Sequence, residues 1–148
     1  MKYALVTGGS RGLGGAICLK FAQMGIPVIV NYQSNKQAAE EVCAEICNNG
    51  GSASILQFDV ASENTALEGW EKEHPEDYIA YLVNNAGIRR DNLMFMMPTE
   101  DWHAVINTSL NGFYYVTKFL LPKMMMRKRG GRIVNMTSLS GLKGMAGQ

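Results

Sequence analysis

Short apolar segments alternate along the chain with longer segments in which apolar residues recur every three or four positions. The short segments predict five strands, at 4–6, 27–30, 54–58, 78–83 and 132–136. The longer segments predict four helices, at 12–25, 35–49, 62–72 and from Thr99 or Glu100 to Arg129. Strands that alternate with helices of this length predict parallel strands joined by right-handed crossovers.

Single residues mark where these helices start and bend. Ser62 and Thr99 are expected to be N-caps, because their hydroxyl groups can accept hydrogen bonds from the free N–H groups of the first turn. Pro122 falls inside the last helix, where its missing N–H predicts a kink or a break. The predicted buried face of the first helix carries four apolar residues: Leu13, Ile17, Phe21 and Met24.

The fold class that follows is α/β: a Rossmann-type, doubly wound parallel sheet between two layers of helices, with strand order 3-2-1-4-5. Ligands of such sheets bind at the carboxyl ends of the strands, near the switch between the first and fourth strands. We therefore look for functional residues in the segments that directly follow the strands.

Composition narrows the class of protein without identifying it. The 148 residues are 47% hydrophobic and 18% charged, with a formal net charge of +1, so charge gives no reason to expect nucleic acid or an anionic membrane as a partner. The sequence has no apolar run near the ~20 residues of a membrane span and no signal-peptide pattern at its start, so a cytoplasmic location is expected. Cys43 and Cys47 share a helix face but lack further ligands nearby, so no metal site is predicted.

A glycine-rich segment, 7–14, joins the first strand to the first helix. Its sequence is Thr-Gly-Gly-Ser-Arg-Gly-Leu-Gly. A tight turn here requires glycine, and a phosphate can approach closely only where side chains are absent. The free N–H groups and positive dipole end of the following helix would then bind a pyrophosphate.

The spacing Thr-Gly-x-x-x-Gly-x-Gly resembles the cofactor signature of the short-chain dehydrogenase/reductase family. Two further segments at strand ends resemble family signatures, namely Asn84-Asn85-Ala86-Gly87 and Asp59-Val60, and the resemblance runs from residue 2 to residue 148. It implies a dinucleotide site with these members: Gly8, Gly9, Ser10, Arg11, Gly12, Leu13, Gly14, Asn31, Asp59, Val60, Asn85, Ala86 and Gly87. In the family the aspartate of the Asp-Val pair holds the adenine.

The end of the second strand bears on which nicotinamide cofactor is used. A carboxylate there would hold the 2′-hydroxyl of NAD, but residues 31–34 read Asn-Tyr-Gln-Ser. Arg11 in the glycine turn can attract a 2′-phosphate, so NADP(H) is predicted. The alternative is that Arg11 is a solvated loop residue and Asn31 serves NAD.

The resemblance implies reduction of a ketone by hydride transfer, with Ser138 hydrogen-bonded to the carbonyl oxygen. Ser140 is an adjacent candidate for that role. On the long helix the family usually has Asn-Leu, whereas this chain has Ser109-Leu110, so Ser109 either binds a water of the proton relay or only satisfies a backbone carbonyl. Asn107 and Asn111 lie about 200° from Ser109 around a helix and are not expected to replace the family asparagine.

The family's Tyr-x-x-x-Lys motif, which supplies the proton donor, is not found in the expected place. Tyr114 and Lys118 have that spacing but lie within the long helix, so we expect surface or packing roles for them. Residues 1–148 are accordingly interpreted as an incomplete NADP-binding Rossmann domain, without the C-terminal strands and substrate lid. This chain alone is expected to be inactive.

Residues 88–93, Trp102 and residues 131–135 resemble 3-oxoacyl-[acyl-carrier-protein] reductases and acetoacetyl-CoA reductases. The resemblance implies an NADPH-dependent reduction of a 3-oxoacyl thioester and a homo-oligomer that pairs through the long helix. Two alternatives remain: a reductase of free ketones, or a catalytically silent nucleotide-binding subunit. Arg127, Lys128 and Arg129 either complement the negative end of the helix dipole or dock an acidic acyl carrier protein.

Overall fold

The computed structural model describes residues 1–62, 65–126 and 130–148. Five strands are present in the described chain: β1 (Lys2–Val6), β2 (Val28–Tyr32), β3 (Ala53–Gln57), β4 (Tyr78–Asn84) and β5 (Arg132–Asn135). The α-helices are α1 (Gly12–Gln23), α2 (Lys36–Asn48), α3 (Thr65–Glu73), α4 (Thr99–Ile106) and α5 (Gly112–Met126). A π-helical segment (Asn107–Asn111) joins α4 to α5, and short 3-10 turns lie at Met94–Met96 and Leu139–Gly141.

All five strands form one parallel sheet in the order β3-β2-β1-β4-β5, which confirms the predicted fold class. The chain reverses its direction of winding between β1 and β4, so a crevice opens at their carboxyl ends. The central strands β1 and β2 are almost wholly apolar and buried, as expected for a sheet covered on both faces.

The hydrophobic core lies in two layers, one on each face of the sheet. One layer packs α3 and α5 against β1 and β4, around Leu5, Leu67, Leu82, Val116 and Leu120. The other packs α1 and α2 against β2, around Cys18, Val30 and Ile46. Because both layers rest on one sheet, they fix the strand ends that form the candidate site.

The predicted long helix is interrupted, but not at Pro122, where the missing N–H predicted a kink or a break. Pro122 lies within α5, which continues through it from Gly112 to Met126. The apolar face of α5 is anchored on the sheet by Val116, Leu120 and Met124, and this burial offsets the lost hydrogen bond. The interruption is the π-helical segment at Asn107–Asn111, where the N–H of Gly112 donates to the carbonyl of Asn107.

Two predictions about α-helix ends and faces were wrong, and a third depends partly on residues that are not described. Thr99 is the first residue of α4 and Pro98 occupies the N-cap position, without a side-chain hydrogen bond. The Ser62 hydroxyl donates to the carbonyl of Asp59, and α3 is described from Thr65; residues 63–64, on which the predicted cap depends, lie outside the described residues. On α1 the most buried residues are Gly14, Gly15 and Cys18, whereas Leu13 and Met24 are exposed. Close approach of α1 to the sheet requires small residues, while Ile17 and Phe21 pack beside them against the core as predicted.

Within the described residues, no helix has the length and apolar character needed to cross a bilayer.

Candidate dinucleotide and catalytic site

The glycine turn between β1 and α1 has the backbone geometry that its sequence predicts. Gly8 and Gly12 have φ values of +61° and +54°, in the left-handed region that favours glycine. Arg11 is extended and exposed at the N-cap of α1, so the first N–H groups of the helix face the crevice without a side-chain cap. The turn therefore presents bare backbone donors and one cation to an anionic ligand.

Two glycines of the turn are required by packing. A Cβ on Gly14 would lie 2.2 Å from the carbonyl oxygen of Gly8, so any side chain there would displace the turn. A Cβ on Gly9 would lie 2.9 Å from Sγ of Cys18, whose thiol faces the Gly9 carbonyl at 3.8 Å. Burial raises the pKa of Cys18 to about 12, so the thiol remains a neutral packing group. Gly9 packs against Cys18 and does not line the cavity.

The β4 end is locked to the turn through Thr7, a residue that the sequence analysis did not select. The Thr7 hydroxyl accepts hydrogen bonds from the backbone N–H groups of Asn85 and Ala86, both at 3.0 Å. The Asn85 amide donates in return to the carbonyl oxygens of Thr7 and Gly8, at 3.0 and 3.2 Å. Asn85 therefore shapes the crevice by holding two strand ends together.

Asn31 lines the crevice, but its amide is used inside the protein. Its Oδ1 accepts the N–H of Gly8 at 3.0 Å. Its Nδ2 lies 3.1 to 3.4 Å from the carbonyl oxygens of Tyr32, Leu56 and Phe58. With 2% of its surface exposed, Asn31 connects the turn to β2 and β3. Its sequence position suggested a ribose ligand, whereas its side-chain contacts are those of a residue that orients the turn.

A cavity of about 480 Å³ extends from the glycine turn along the ends of β2 and β3. Asp59 and Val60 line it, as predicted, together with Gln33, which the sequence analysis did not select. The Gln33 amide donates to Oδ2 of Asp59 at 2.9 Å, and the N–H of Ala61 donates to Oδ1 at 2.9 Å. The carboxylate is thus oriented by two donors at the wall of the cavity.

A second cavity of about 330 Å³ continues from the first toward the end of β5. Five residues border both cavities: Val60, Asn85, Ala86, Gly87 and Thr108. Together the two cavities form one trough across the ends of β1 and β4, the arrangement that an extended dinucleotide requires.

Ser109 lies in the wall of the second cavity, half-buried on the π-helical segment. A Cβ on Gly87 would lie 4.0 Å from its hydroxyl oxygen. Among the described residues its hydroxyl has no hydrogen-bond partner, so the expectation that it satisfies a backbone carbonyl is not met. Asn107 and Asn111 are hydrogen-bonded to each other at 2.7 Å and do not line this cavity, which agrees with their predicted direction.

Ser138 follows β5 at the same edge of the sheet, yet it does not line either cavity of the trough. Its hydroxyl donates to Oγ of Ser140 at 3.1 Å and accepts the N–H of Ser140 at 3.2 Å. Thr137 and Asn135 contribute to the second cavity instead. The Ser138 hydroxyl is therefore hydrogen-bonded to Ser140 both as a donor and as an acceptor.

Tyr114 and Lys118 are exposed on α5, with the ammonium group of Lys118 5.3 Å from the centre of the Tyr114 ring. Neither lines the trough, so the sequence-based expectation of a surface role holds. The proposed docking residues Arg127, Lys128 and Arg129 lie outside the described residues.

Residues 2–148 match the family model described as short chain dehydrogenase. The chain belongs to this family. In this short-chain dehydrogenase the trough lies where the carboxyl ends of β1 and β4 meet.

Two curated relatives bear the name 3-oxoacyl-[acyl-carrier-protein] reductase. The one from Synechocystis sp. is 43% identical over 98% of this chain and 59% of its own length. The one from Aggregatibacter actinomycetemcomitans is 41% identical over 97% of this chain and 60% of its own length. This short-chain dehydrogenase chain therefore spans about 60% of the length of the relatives it matches.

Solved structures extend the likeness to enzymes with other names. A putative gluconate dehydrogenase from Agrobacterium tumefaciens matches with a TM-score of 0.89 and 32% identity, over 99% of this chain and 57% of that one. A gluconate 5-dehydrogenase from Burkholderia cenocepacia, in complex with NADP and tartrate, matches with a TM-score of 0.87 and 29% identity, with the same shares covered. The fold alone therefore does not distinguish substrates within the family.

Proposed function

We propose that this short-chain dehydrogenase reduces a 3-oxoacyl thioester, bound to a carrier protein or to CoA, with NADPH as hydride donor. The observation that carries the proposal is the likeness to 3-oxoacyl-[acyl-carrier-protein] reductases at 41–43% identity over almost the whole chain. The trough at the strand ends supports a dinucleotide as the cofactor, because Gly8, Gly12 and Gly14 line it with backbone that carries no side chains.

Different residues of this proposed site suit different parts of the cofactor. The N–H groups at the start of α1 suit the pyrophosphate, and Asp59 with Val60 suits the adenine. Ala86, Gly87 and Thr108 border the part of the trough that would accept the nicotinamide end. The bound cofactor would supply the hydride, and the protein would orient it beside the substrate carbonyl.

Arg11 and Gln33 support NADP(H) over NAD(H). Arg11 is exposed at the turn and has no ion-pair partner among the described residues. Gln33 occupies the end of β2, where a carboxylate would repel a 2′-phosphate. The carboxylate of Asp59, which contacts Gln33, already accepts hydrogen bonds from Gln33 and Ala61. A guanidinium group and an amide can both donate to phosphate oxygens.

Ser138 and Ser109 are proposed to act on either side of the substrate. In this scheme Ser138 transfers its hydrogen bond from Ser140 to the substrate oxygen and stabilises the developing charge. Ser109, whose hydroxyl has no partner in the described part of the chain, would bind a water in the second cavity, from which a proton relay would be replenished.

The direct test is oxidation of NADPH by the intact protein in the presence of acetoacetyl-CoA, compared with oxidation of NADH. We expect turnover with NADPH, and Arg11→Ala should raise KM for NADPH roughly tenfold or more, because a charge-assisted phosphate contact is lost. Lys20→Ala, which removes an exposed cation near the opposite end of α1, is the matched control. Equal effects of both substitutions would argue against a phosphate contact at Arg11.

A second candidate is reduction of a free ketone or oxidation of a polyol. Two solved structures named as gluconate dehydrogenases support it, because their sequences are 32% and 29% identical to this chain. Turnover of small free ketones without turnover of acetoacetyl-CoA would support this candidate. Absence of any turnover, combined with nucleotide binding, would support a silent subunit instead.

Partners are proposed on chemical grounds. An acidic acyl carrier protein would be attracted by the cationic side chains of Arg127, Lys128 and Arg129. A homo-oligomer would cover the exposed apolar residues of the π-helical segment and α5, such as Leu110, Leu121 and Met125. Sedimentation analysis of the intact protein should therefore give a mass above that of the monomer.

A further inference from the structure

A third cavity, of about 200 Å³, lies outside the trough, between α4 and the loop that follows β4. Its apolar wall is formed by Ile88, Met97, Trp102, Val105 and Ile106, and Gln148 closes one side. Neither the dinucleotide nor the serine chemistry described above makes use of it.

The charged residues at this cavity are already neutralised within the chain. Arg89 pairs with Asp91 at 3.1 Å, and Arg90 pairs with Asp101 at 3.3 Å. The aliphatic stems of such arginines can extend the apolar wall while their charged groups remain paired at the surface. The cavity is therefore suited to an uncharged, apolar group and not to an anion.

A chain of hydrogen bonds connects this cavity to Ser138. Ser140 Oγ, which accepts from Ser138, donates to Oε1 of Gln148 at 2.7 Å. Nε2 of Gln148 lies 3.4 Å from Oδ2 of Asp91, the residue that pairs with Arg89. One side-chain amide thus separates the third cavity from the hydroxyl pair at the end of β5.

The backbone ties the same two segments together. The N–H of Asn92 donates to the carbonyl of Gly147 at 2.9 Å. The loop after β4 and the segment after β5 therefore form one wall, with Ser138 at one end and the third cavity at the other.

We propose that the third cavity binds the alkyl chain of the substrate and sets its preferred chain length. The proposal rests on the proposed function, in which the ketone of a 3-oxoacyl thioester contacts Ser138. The substrate extends in two directions from that ketone: toward the thioester (the thioester arm) and toward the end of the acyl chain (the alkyl arm). The thioester arm continues into amide groups that need hydrogen-bond partners, whereas the alkyl arm is apolar and matches the wall formed by Ile88, Val105 and Ile106.

The expected signature is a dependence on chain length. Each methylene that moves from water into an apolar cavity improves binding roughly fourfold. The intact protein should therefore give a higher kcat/KM with 3-oxohexanoyl-CoA and 3-oxooctanoyl-CoA than with acetoacetyl-CoA, each measured with NADPH.

Two substitutions test the cavity directly. Ile106→Trp fills it and should lower kcat/KM for 3-oxooctanoyl-CoA about tenfold or more, while the value for acetoacetyl-CoA changes by less than about twofold. Trp102→Ala enlarges it at a half-exposed position and should shift the preference toward longer chains. His103→Trp, on the exposed side of the same helix, is the control and should leave the chain-length ratio unchanged.

The outcomes separate this proposal from the one on which it rests. Turnover of all three thioesters with an unchanged chain-length ratio in Ile106→Trp and Trp102→Ala would overturn the acyl cavity and leave the reductase assignment intact. Absence of turnover with every 3-oxoacyl thioester, in a protein that still binds NADPH, would overturn both.

Discussion

At the residue scale, Asn31 shows how one buried amide holds the cofactor turn in place. It accepts from Gly8 N and lies within hydrogen-bond distance of three carbonyl oxygens at the ends of β2 and β3. An alanine would remove the acceptor of the Gly8 N–H and the amide donor that faces the carbonyl oxygens of Leu56 and Phe58. Each buried polar group left without a partner costs about 1–3 kcal/mol.

We therefore expect Asn31→Ala to lower the free energy of unfolding by about 2–4 kcal/mol and to weaken NADPH binding, because the Gly8 turn loses its anchor. Urea denaturation and fluorescence titration of the intact protein measure the two effects. Gln33→Ala, at the neighbouring exposed position, should change the stability by less than about 0.5 kcal/mol. Equal stability losses in both variants would show that the buried network is not the cause.

A second prediction at this scale concerns the thiol below the turn. Burial raises the pKa of Cys18 from 9 to about 12. The stability that comes from keeping this thiol neutral is therefore fully present below pH 9 and is lost as the pH rises toward 12. Within that window the loss is at most about 1.4 kcal/mol per pH unit.

Cys18→Ala should accordingly show a shallower fall of unfolding free energy above pH 9 than the unsubstituted protein, measured by urea denaturation at several pH values. Cys47→Ala removes an exposed thiol and serves as the control. The same alkaline slope in Cys18→Ala as in the unsubstituted protein would exclude Cys18 as its source.

At the element scale, two helical glycines are expected to change the stability in opposite directions when each is replaced by alanine. Gly112 opens α5 where the helix crosses the loop after β3, and a Cβ there would lie 2.6 Å from Cγ2 of Val60. Gly69 lies within α3, and a Cβ there would meet open space.

Gly69→Ala should stabilise the protein by about 0.5–1 kcal/mol, because alanine loses less backbone entropy in a helix than glycine does. Gly112→Ala should destabilise it by about 1–3 kcal/mol through overpacking against Val60. Thermal and urea unfolding of the two variants check the signs. A stabilising Gly112→Ala would mean that Val60 can move aside at no cost.

The π-helical segment gives Ser109 its place in the wall of the second cavity. Because its hydroxyl has no partner among the described residues, Ser109→Ala should leave the stability within about 0.5 kcal/mol of the original value. If the hydroxyl holds a water of the relay, kcat should fall roughly tenfold, the effect of one hydrogen bond of about 1.4 kcal/mol. A large loss of stability with unchanged kcat would instead assign Ser109 a structural role.

At the scale of the whole molecule, the sheet order could be predicted from the sequence because alternating strands and helices allow few topologies. Many of the residues that line the trough could also be predicted, since the motifs follow the strands, although Gln33 was not selected and Gly9 and Ser138 do not line it. The roles of Asn31 and Thr7 could not, because their hydrogen bonds join segments that are 23 to 79 residues apart. The π-helical segment was missed for a similar reason: only Pro122 gave a local signal for a helix interruption, and α5 continues through it.

The last prediction concerns recognition of a carrier by the assembled protein. A carrier-bound substrate brings an acidic protein surface, whereas a CoA thioester or a free ketone does not. Charge reversal at Arg127 and Arg129, to glutamate, should therefore raise KM for the carrier-bound substrate far more than KM for a small free ketone, and the difference should shrink at high salt. If these cations only complement the helix dipole, the substitutions would lower stability and affect both substrates equally. Steady-state kinetics with both substrates at two ionic strengths separates the two roles. Only docking makes the effect of these substitutions depend on whether the substrate is bound to an acidic carrier protein.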